Sequence, residues 1–268
     1  MMLERPGGGV GDAPVERVGG DDGDDAVTVD TLLRGRVTLV QPARGFRSSL
    51  DPLLLAAFVR PPFGRFVDIG CGTGALAFSL AALDPGASGV AIELQPRLAR
   101  LAARGLKQNP FASRVEIVEA EVRGVVGRPG LPPAAFDLVA TNPPFRPVGG
   151  GFVSPNGERA RANHEVTLTM DDWLDAAAAL VRPGGRVAVV FVAPRQSELL
   201  GGLRARGLRP ARVRLVHARL EEPASRVLVQ AASAGGAPEI AATALEPPLV
   251  LRGPDGHSDE VRRLLGEL

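Results

Sequence analysis

The chain has 268 residues, 45% hydrophobic and 23% charged, with a formal net charge of +1. This is a soluble globular composition, long enough for one large domain and an extension. No apolar run approaches the roughly 20 residues that cross a bilayer, the Gly- and Asp-rich start does not read as a signal peptide, and the single Cys71 excludes an internal disulfide and fits a reducing cytoplasm.

Charge is unevenly spread. Residues 1–30 hold eight acidic and two basic residues, a balance of −6 that leaves +7 on the remainder of a +1 chain. This segment has too few periodic apolar residues to offset chain entropy, so a disordered acidic tail is expected over 1–30. The basic body suits a polyanion such as RNA; plain accumulation of arginine is the competing explanation.

Residues 31–61 read as a leader, with a strand over Arg36–Gln41 and an apolar helix through Leu53 and Phe58. Asp51 is expected as its N-cap and Pro52 as its first residue. Residues 62–233 then alternate strand and helix. Strands are expected at Phe66–Ile69, Gly89–Ile92, Val115–Val118, Phe136–Ala140 and Arg186–Val192. Between and after them, helices are expected at Ala75–Leu83, Gln95–Gln108, Thr169 to Val181 (opened by a capping box) and Gln196–Arg206. Val213–Val216 and Arg226–Ala231 read as a closing antiparallel pair. The pattern predicts an α/β fold with a doubly wound, mostly parallel seven-stranded sheet covered on both faces. Residues 234–268 form an Ala/Gly/Pro-rich extension with an apolar cluster at Leu249–Leu251 and a short terminal helix.

Val67-Asp68-Ile69-Gly70-Cys71-Gly72-Thr73-Gly74 follows the first of these strands and opens a helix. Glycines there let the backbone turn tightly and approach a ligand. Dinucleotide sites use a similar turn, but Asp68 would repel a pyrophosphate, whereas S-adenosylmethionine has no phosphate and its ammonium tolerates an acid. Glu93 ends the next strand, where a carboxylate can accept from both ribose hydroxyls. A helix-capping role competes for Asp68, and a solvated strand end for Glu93. Glu119 and Glu121 follow the third strand, and either can meet an adenine amino group; Glu121 is preferred. Cys71 reads as a small loop filler.

Asn142-Pro143-Pro144-Phe145 follows the fourth strand, at the sheet edge where such folds place ligands. An exocyclic amine is a poor nucleophile because its lone pair delocalises into the ring. Two acceptors on its hydrogens, the Asn142 side-chain carbonyl and the Pro143 backbone carbonyl, pull the nitrogen towards a tetrahedral shape. Pro143 and Pro144 stiffen the loop, and Phe145 offers a flat face for a base. A base within folded nucleic acid has to be turned out to reach it.

Arg159, Arg161 and His164 follow a Gly149-Gly150-Gly151 hinge and read as a loop that clamps RNA phosphates, or as a solvated loop. Seven arginines between Arg195 and Arg219, against Glu198 alone, form either an RNA-facing surface or a solvated face. Trp173 reads as core. No His/Cys cluster has metal-ligand spacing.

With both motifs placed, the sequence resembles the amino-methylating branch of class I methyltransferases, and within it the tRNA1(Val) (adenine-37-N6)-methyltransferase family. The likeness covers residues 33 to about 265. It rests further on Gly45-Phe46-Arg47-Ser48-Ser49-Leu50-Asp51-Pro52-Leu53-Leu54-Leu55-Ala56, on Arg161-Ala162-Asn163-His164-Glu165, and on Pro223-Ala224-Ser225-Arg226-Val227-Leu228-Val229. It implies a Rossmann-like domain, S-adenosylmethionine as cofactor, N6-methylation of an adenine near a tRNA anticodon, and a leader helix capping the pocket with Asp51 facing it. tRNA is the expected partner and the cytoplasm the expected compartment, with no membrane and no metal; a monomer is expected, although the sequence does not reveal the oligomeric state. Phe145 stands where many relatives have tyrosine, and the acidic tail lies outside the pattern. The alternatives are another planar amino group (guanine N2 in rRNA, adenine N6 in DNA, or a release-factor glutamine) and a non-enzymatic RNA-binding scaffold. Intact motifs argue against the scaffold, and the absence of a helical N-terminal domain argues against the glutamine.

Overall fold

The computed structural model describes residues 15–17, 26–144, 168–235, 242–253 and 256–265. Its centre is an eight-stranded sheet. The strands are β4 (Arg65–Ile69), β5 (Ser88–Glu93), β6 (Val115–Glu119), β7 (Phe136–Thr141), β8 (Val181–Val192), β9 (Arg209–His217), β10 (Arg226–Ala232) and β11 (Ala244–Val250). Their order is β11-β9-β10-β8-β7-β4-β5-β6. The expected seven strands are all present, and β10 runs antiparallel to both β8 and β9. The eighth, β11, comes from the expected C-terminal extension and pairs parallel with β9. Pro247 and Pro248 sit within it, and its register slips between Glu246 and Leu249, because proline has no N–H to give the ladder.

Two apolar layers cover the sheet, and alternation along the strands divides the side chains between them. Ala188, Val190 and Leu228 join the layer of α1 (Asp51–Phe58) and α2 (Ala75–Leu83). Val187, Val189, Phe191, Val227 and Val229 join the layer of α4 (Met170–Leu180) and α5 (Gln196–Ala205). Trp173 is 1% exposed there and packs on Phe191, as its place on an amphipathic helix predicts. α2 buries residues around nearly its whole circumference, the signature of a helix sandwiched between layers. The predicted capping box at Thr169 forms, with Asp172 as its reciprocal partner.

The leader departs from expectation. Ala26–Leu32 is a strand, β2, pairing antiparallel with β3 (Val37–Pro42) and with a short β1 (Val15–Arg17). Residues 26–30, expected within the disordered tail, are therefore ordered, with Val27 3% and Asp30 6% exposed. Composition cannot see the pairing partner that β3 supplies. The rest of residues 1–25, apart from 15–17, lies outside the described residues. The β2–β3 hairpin packs on α3 (Pro96–Leu106) where Gly105 lets the backbones approach: a Cβ there would stand 3.0 Å from the Val40 nitrogen. Asn109 completes the seam by accepting from the Thr38 N–H (2.8 Å) and donating to its carbonyl (2.9 Å). At α1 the N-cap is Leu50 rather than Asp51, with no side-chain cap bond, and Asp51 opens the helix itself.

Candidate active site

A cleft opens at the C-terminal ends of β4, β5 and β7, the edge where parallel sheets collect their ligand loops. Its walls include Asp68, Gly70, Gly72, Glu93, Glu121, Asn142, Pro143 and Pro144, so most of the expected site residues converge on one space. The glycine turn is built as its sequence requires. Gly70, Gly72 and Gly74 have φ of 74°, 58° and 93°, the left-handed region that favours glycine. A Cβ on Gly72 would lie 2.7 Å from the Phe46 ring, and one on Gly74 2.5 Å from the Phe78 ring, so both positions also require close approach. Gly74 starts α2 as its N-cap.

Two acids organise this turn. Glu93, 6% exposed, accepts from the Gly72 N–H and the Gln95 N–H, each at 2.8 Å. Both carboxylate oxygens are thereby oriented, each with a further lone pair for a ligand. Burial pushes its pKa above the ordinary value, against the pull of those backbone donors. Asp68, 1% exposed, accepts from the Ala77 N–H at 3.1 Å. The capping role that competed for it is thus real, and Asp68 lines the cleft as well. Burial raises its pKa to about 8, with Glu93 adding to the rise. Of the two later acids, Glu121 lines the cleft and Glu119 does not; Glu121 also accepts from Arg123 Nε at 2.6 Å. Cys71 is buried with its thiol pKa pushed well up, which fits an inert filler.

The Asn-Pro-Pro loop leaves β7 at Thr141, whose hydroxyl donates to the Ile69 carbonyl at 2.8 Å. That bond ties the start of Asn142-Pro143-Pro144 to the strand that carries the glycine turn. Asn142 Oδ1 is buried and accepts no hydrogen bond among the described residues. A buried carbonyl left without a donor costs about 1–3 kcal/mol, so it marks a place where a ligand N–H is expected.

The fourth wall comes from the leader: Phe46, Arg47, Ser48, Ser49 and Pro52. A hydrogen-bonded chain holds it. Asp30 accepts from Arg47 Nη2 (3.0 and 2.9 Å) and from Gln41 Nε2 (2.9 Å). Gln41 Oε1 accepts from the Ser48 N–H at 2.7 Å and from the Thr73 hydroxyl at 3.4 Å. Sequence reasoning gave these leader residues no role beyond the likeness. Their only local signal is an aromatic-Arg-Ser run before an apolar helix. Leu94, Leu98 and Val122, which also line the cleft, were equally silent.

Some expected residues fall elsewhere. The Asp51 carboxylate accepts from Arg226 Nε at 3.0 Å and is absent from the cleft wall, so it ties the leader helix to β10 instead of facing the pocket. Phe145, Arg159, Arg161 and His164 lie outside the described residues. The arginine-rich stretch is not a row of unpaired cations: Arg195 pairs with Glu198, Arg206 with Asp171 and Asp175, Arg212 with Glu246, Arg214 with Glu260 and Arg219 with Glu222. Among the described residues no group of three or more His, Cys, Asp or Glu is placed to hold a metal. No described helix is long and apolar enough to cross a membrane.

The methyltransferase small-domain family model matches residues 49–200. The tRNA1(Val) (adenine(37)-N6)-methyltransferase of Porphyromonas gingivalis is 30% identical over 197 residues, covering 70% of this chain and 72% of that one. The protein of the same name from Dickeya chrysanthemi is 33% identical over 211 residues, covering 76% and 80%. Among solved structures, a predicted O-methyltransferase from Agrobacterium tumefaciens aligns with a TM-score of 0.62 at 25% identity, covering 80% of this chain and 94% of that one.

Proposed function

Because the chain belongs to the tRNA1(Val) (adenine(37)-N6)-methyltransferase family, we propose that it methylates the N6 amino group of an adenine in tRNA, near the anticodon, with S-adenosylmethionine as donor. The observation that carries this reading is Asn142 Oδ1, a buried acceptor with no donor among the described residues, set beside Pro143 in the cleft that the glycine turn also lines. The compartment is the cytoplasm, and the partner is tRNA.

The cleft fits the cofactor by its donor set. Asp68, Glu93 and Glu121 suit a ligand that carries a sulfonium and an ammonium and no phosphate. Glu93 would hold the ribose hydroxyls, its oxygens already aimed by two backbone donors. Leu94, 39% exposed, with Leu98 and Val122 gives the adenine an apolar slot, and Glu121 meets its amino group. When bound, S-adenosylmethionine supplies an electrophilic methyl group.

Asn142 Oδ1 and the Pro143 carbonyl each accept one hydrogen of the substrate amine, and its lone pair turns out of ring conjugation towards the methyl. The methylated nitrogen then gives up a proton to solvent, so no side-chain base acts before attack. Phe145 serves as the stacking platform for the turned-out base. Arg159, Arg161 and His164 hold the RNA backbone.

The test is methyl transfer from labelled cofactor to unmodified tRNA, duplex DNA and a release factor, offered separately. Label in tRNA as N6-methyladenine is the expected result. Label only in the release factor establishes glutamine as the substrate, label only in DNA moves the enzyme to DNA, and N2-methylguanine overturns the base assignment. Glu93→Ala removes both the ribose acceptor and the anchor of Gly72. Calorimetry is expected to show cofactor affinity at least about tenfold weaker, a loss of about 1.4 kcal/mol; unchanged affinity would sink the assignment.

A further inference from the structure

We propose that Arg47 binds the carboxylate of the cofactor's aminoacyl group, and that Asp30 and Gln41 are the positioning residues that hold it there. The inference rests on the cofactor reading above and adds a residue to it. Arg47 and its two supports precede the stretch matched by the small-domain family model, which begins at residue 49.

Charge balance in the cleft is the first support. Among the described residues that line it there are three carboxylates, Asp68, Glu93 and Glu121, and one cation, Arg47. The three acids suit the ligand's sulfonium and ammonium. Its carboxylate finds no complement in them, and an anion drawn out of water needs a charge-assisted donor.

Direction is the second. With the ribose on Glu93 and the adenine towards Leu94, Glu121 and Val122, the aminoacyl end would extend past Asp68 and Gly70 towards the leader turn. Phe46 packs on Gly72 and fixes that turn against the glycines. The neighbouring Ser48 N–H and the Thr73 hydroxyl share Gln41 Oε1 as acceptor.

The build of the ion pair is the third. Asp30 is buried and Arg47 is open, at 7% and 36% side-chain exposure. The Asp30 carboxylate also accepts from Thr28 Oγ1 at 2.9 Å. Arg47 Nη1 donates to Thr28 Oγ1 (2.5 Å) and to the Pro42 carbonyl (3.1 Å). The guanidinium is thus fixed through both terminal nitrogens, while its Nε–H makes no hydrogen bond among the described residues. A planar group pinned on one edge is preorganised, so little rotamer entropy is lost when an anion docks on the other. The hairpin from β2 to β3 becomes part of the cofactor site through this contact.

The probes are S-adenosylmethionine and its decarboxylated form, which lacks only the carboxylate, titrated calorimetrically into the full-length protein. Wild type is expected to prefer the intact cofactor. Arg47→Met should weaken the intact cofactor at least about tenfold and leave the decarboxylated form within about twofold. Arg47→Lys should restore part of the difference, and Asp30→Asn should lower affinity for the intact cofactor alone. Thermal melts check that each variant is folded; if Arg47→Met is not, the Lys and Asn variants decide by the same ratio. Equal losses for both ligands would overturn the proposal by making Arg47 a prop for the cleft. Unchanged cofactor affinity with a raised KM for tRNA would overturn it by turning the cation to RNA. If wild type bound neither ligand, the cofactor reading itself would fall.

Discussion

Replacing Asn142 by alanine is expected to lower kcat about 10²–10³-fold, the range found when one preorganised group is removed from a transition state, while cofactor affinity stays within about twofold. Among the described residues Asn142 Oδ1 is buried without a hydrogen-bond donor, a cost of about 1–3 kcal/mol. On the proposed mechanism the amine satisfies it, and the contact strengthens as the nitrogen gains tetrahedral character, so its loss should fall on the transition state more than on binding. Single-turnover transfer with saturating cofactor and tRNA measures the effect. Turnover near wild type would assign orientation of the amine to the Pro143 carbonyl alone.

Asp68→Asn is expected to weaken cofactor binding by about 10- to 100-fold, the loss of a charge-assisted contact, and yet to stabilise the free protein at alkaline pH. The sign follows from the Asp68 pKa, raised from 3.8 to about 8 by burial with Glu93 adding to it. The folded state holds a proton that the unfolded chain releases. This contribution to stability is full below pH 3.8, declines as pH rises, and is gone above about 8. Across that window the wild type loses on the order of 1 kcal/mol per pH unit from this group, and the Asn variant does not. The difference in Tm between variant and wild type should therefore widen from pH 5 to pH 8 and then level. A cationic ligand favours the ionised carboxylate, so cofactor binding below pH 8 should release a proton and tighten as pH rises, with both effects absent in the variant. A pH-independent difference in Tm would show that Asp68 is ionised throughout.

The parallel half of the sheet was legible because β4, β5, β6 and β7 are short runs whose ends are marked by Gly70, Glu93, Glu119 and Asn142-Pro143. Once those ends are placed, Asp68, Glu93 and Asn142 fall on one edge of the sheet. The structure sharpens rather than moves them. Residues whose role is set by a distant partner were not legible. Asp30 counted as tail charge because its partner Arg47 lies 17 residues on and its strand pairs with β3. Asp51 was drawn to the pocket by the likeness, but its partner Arg226 is 175 residues away. The arginines after α4 looked unpaired because their acids, among them Asp171, Asp175, Glu246 and Glu260, lie 31 to 46 residues distant. The start of β8 at Val181 was hidden by Pro183-Gly184-Gly185, which reads as a turn and is accommodated by a register shift against β7.

The two borders of the central sheet bear on how the molecule behaves when crowded. A border strand with a free row of N–H and C=O groups is a template for polymerisation. At one border Pro247 and Pro248 in β11 remove two amide hydrogens and break the register of the strand. At the other, β6 places exposed Glu116 and Glu119 along its five residues, so a second β6 brought alongside would meet like charge. One border is blunted by missing donors and the other by repulsion, and neither defence depends on the apolar layers. Sheet-to-sheet growth is therefore opposed at both ends.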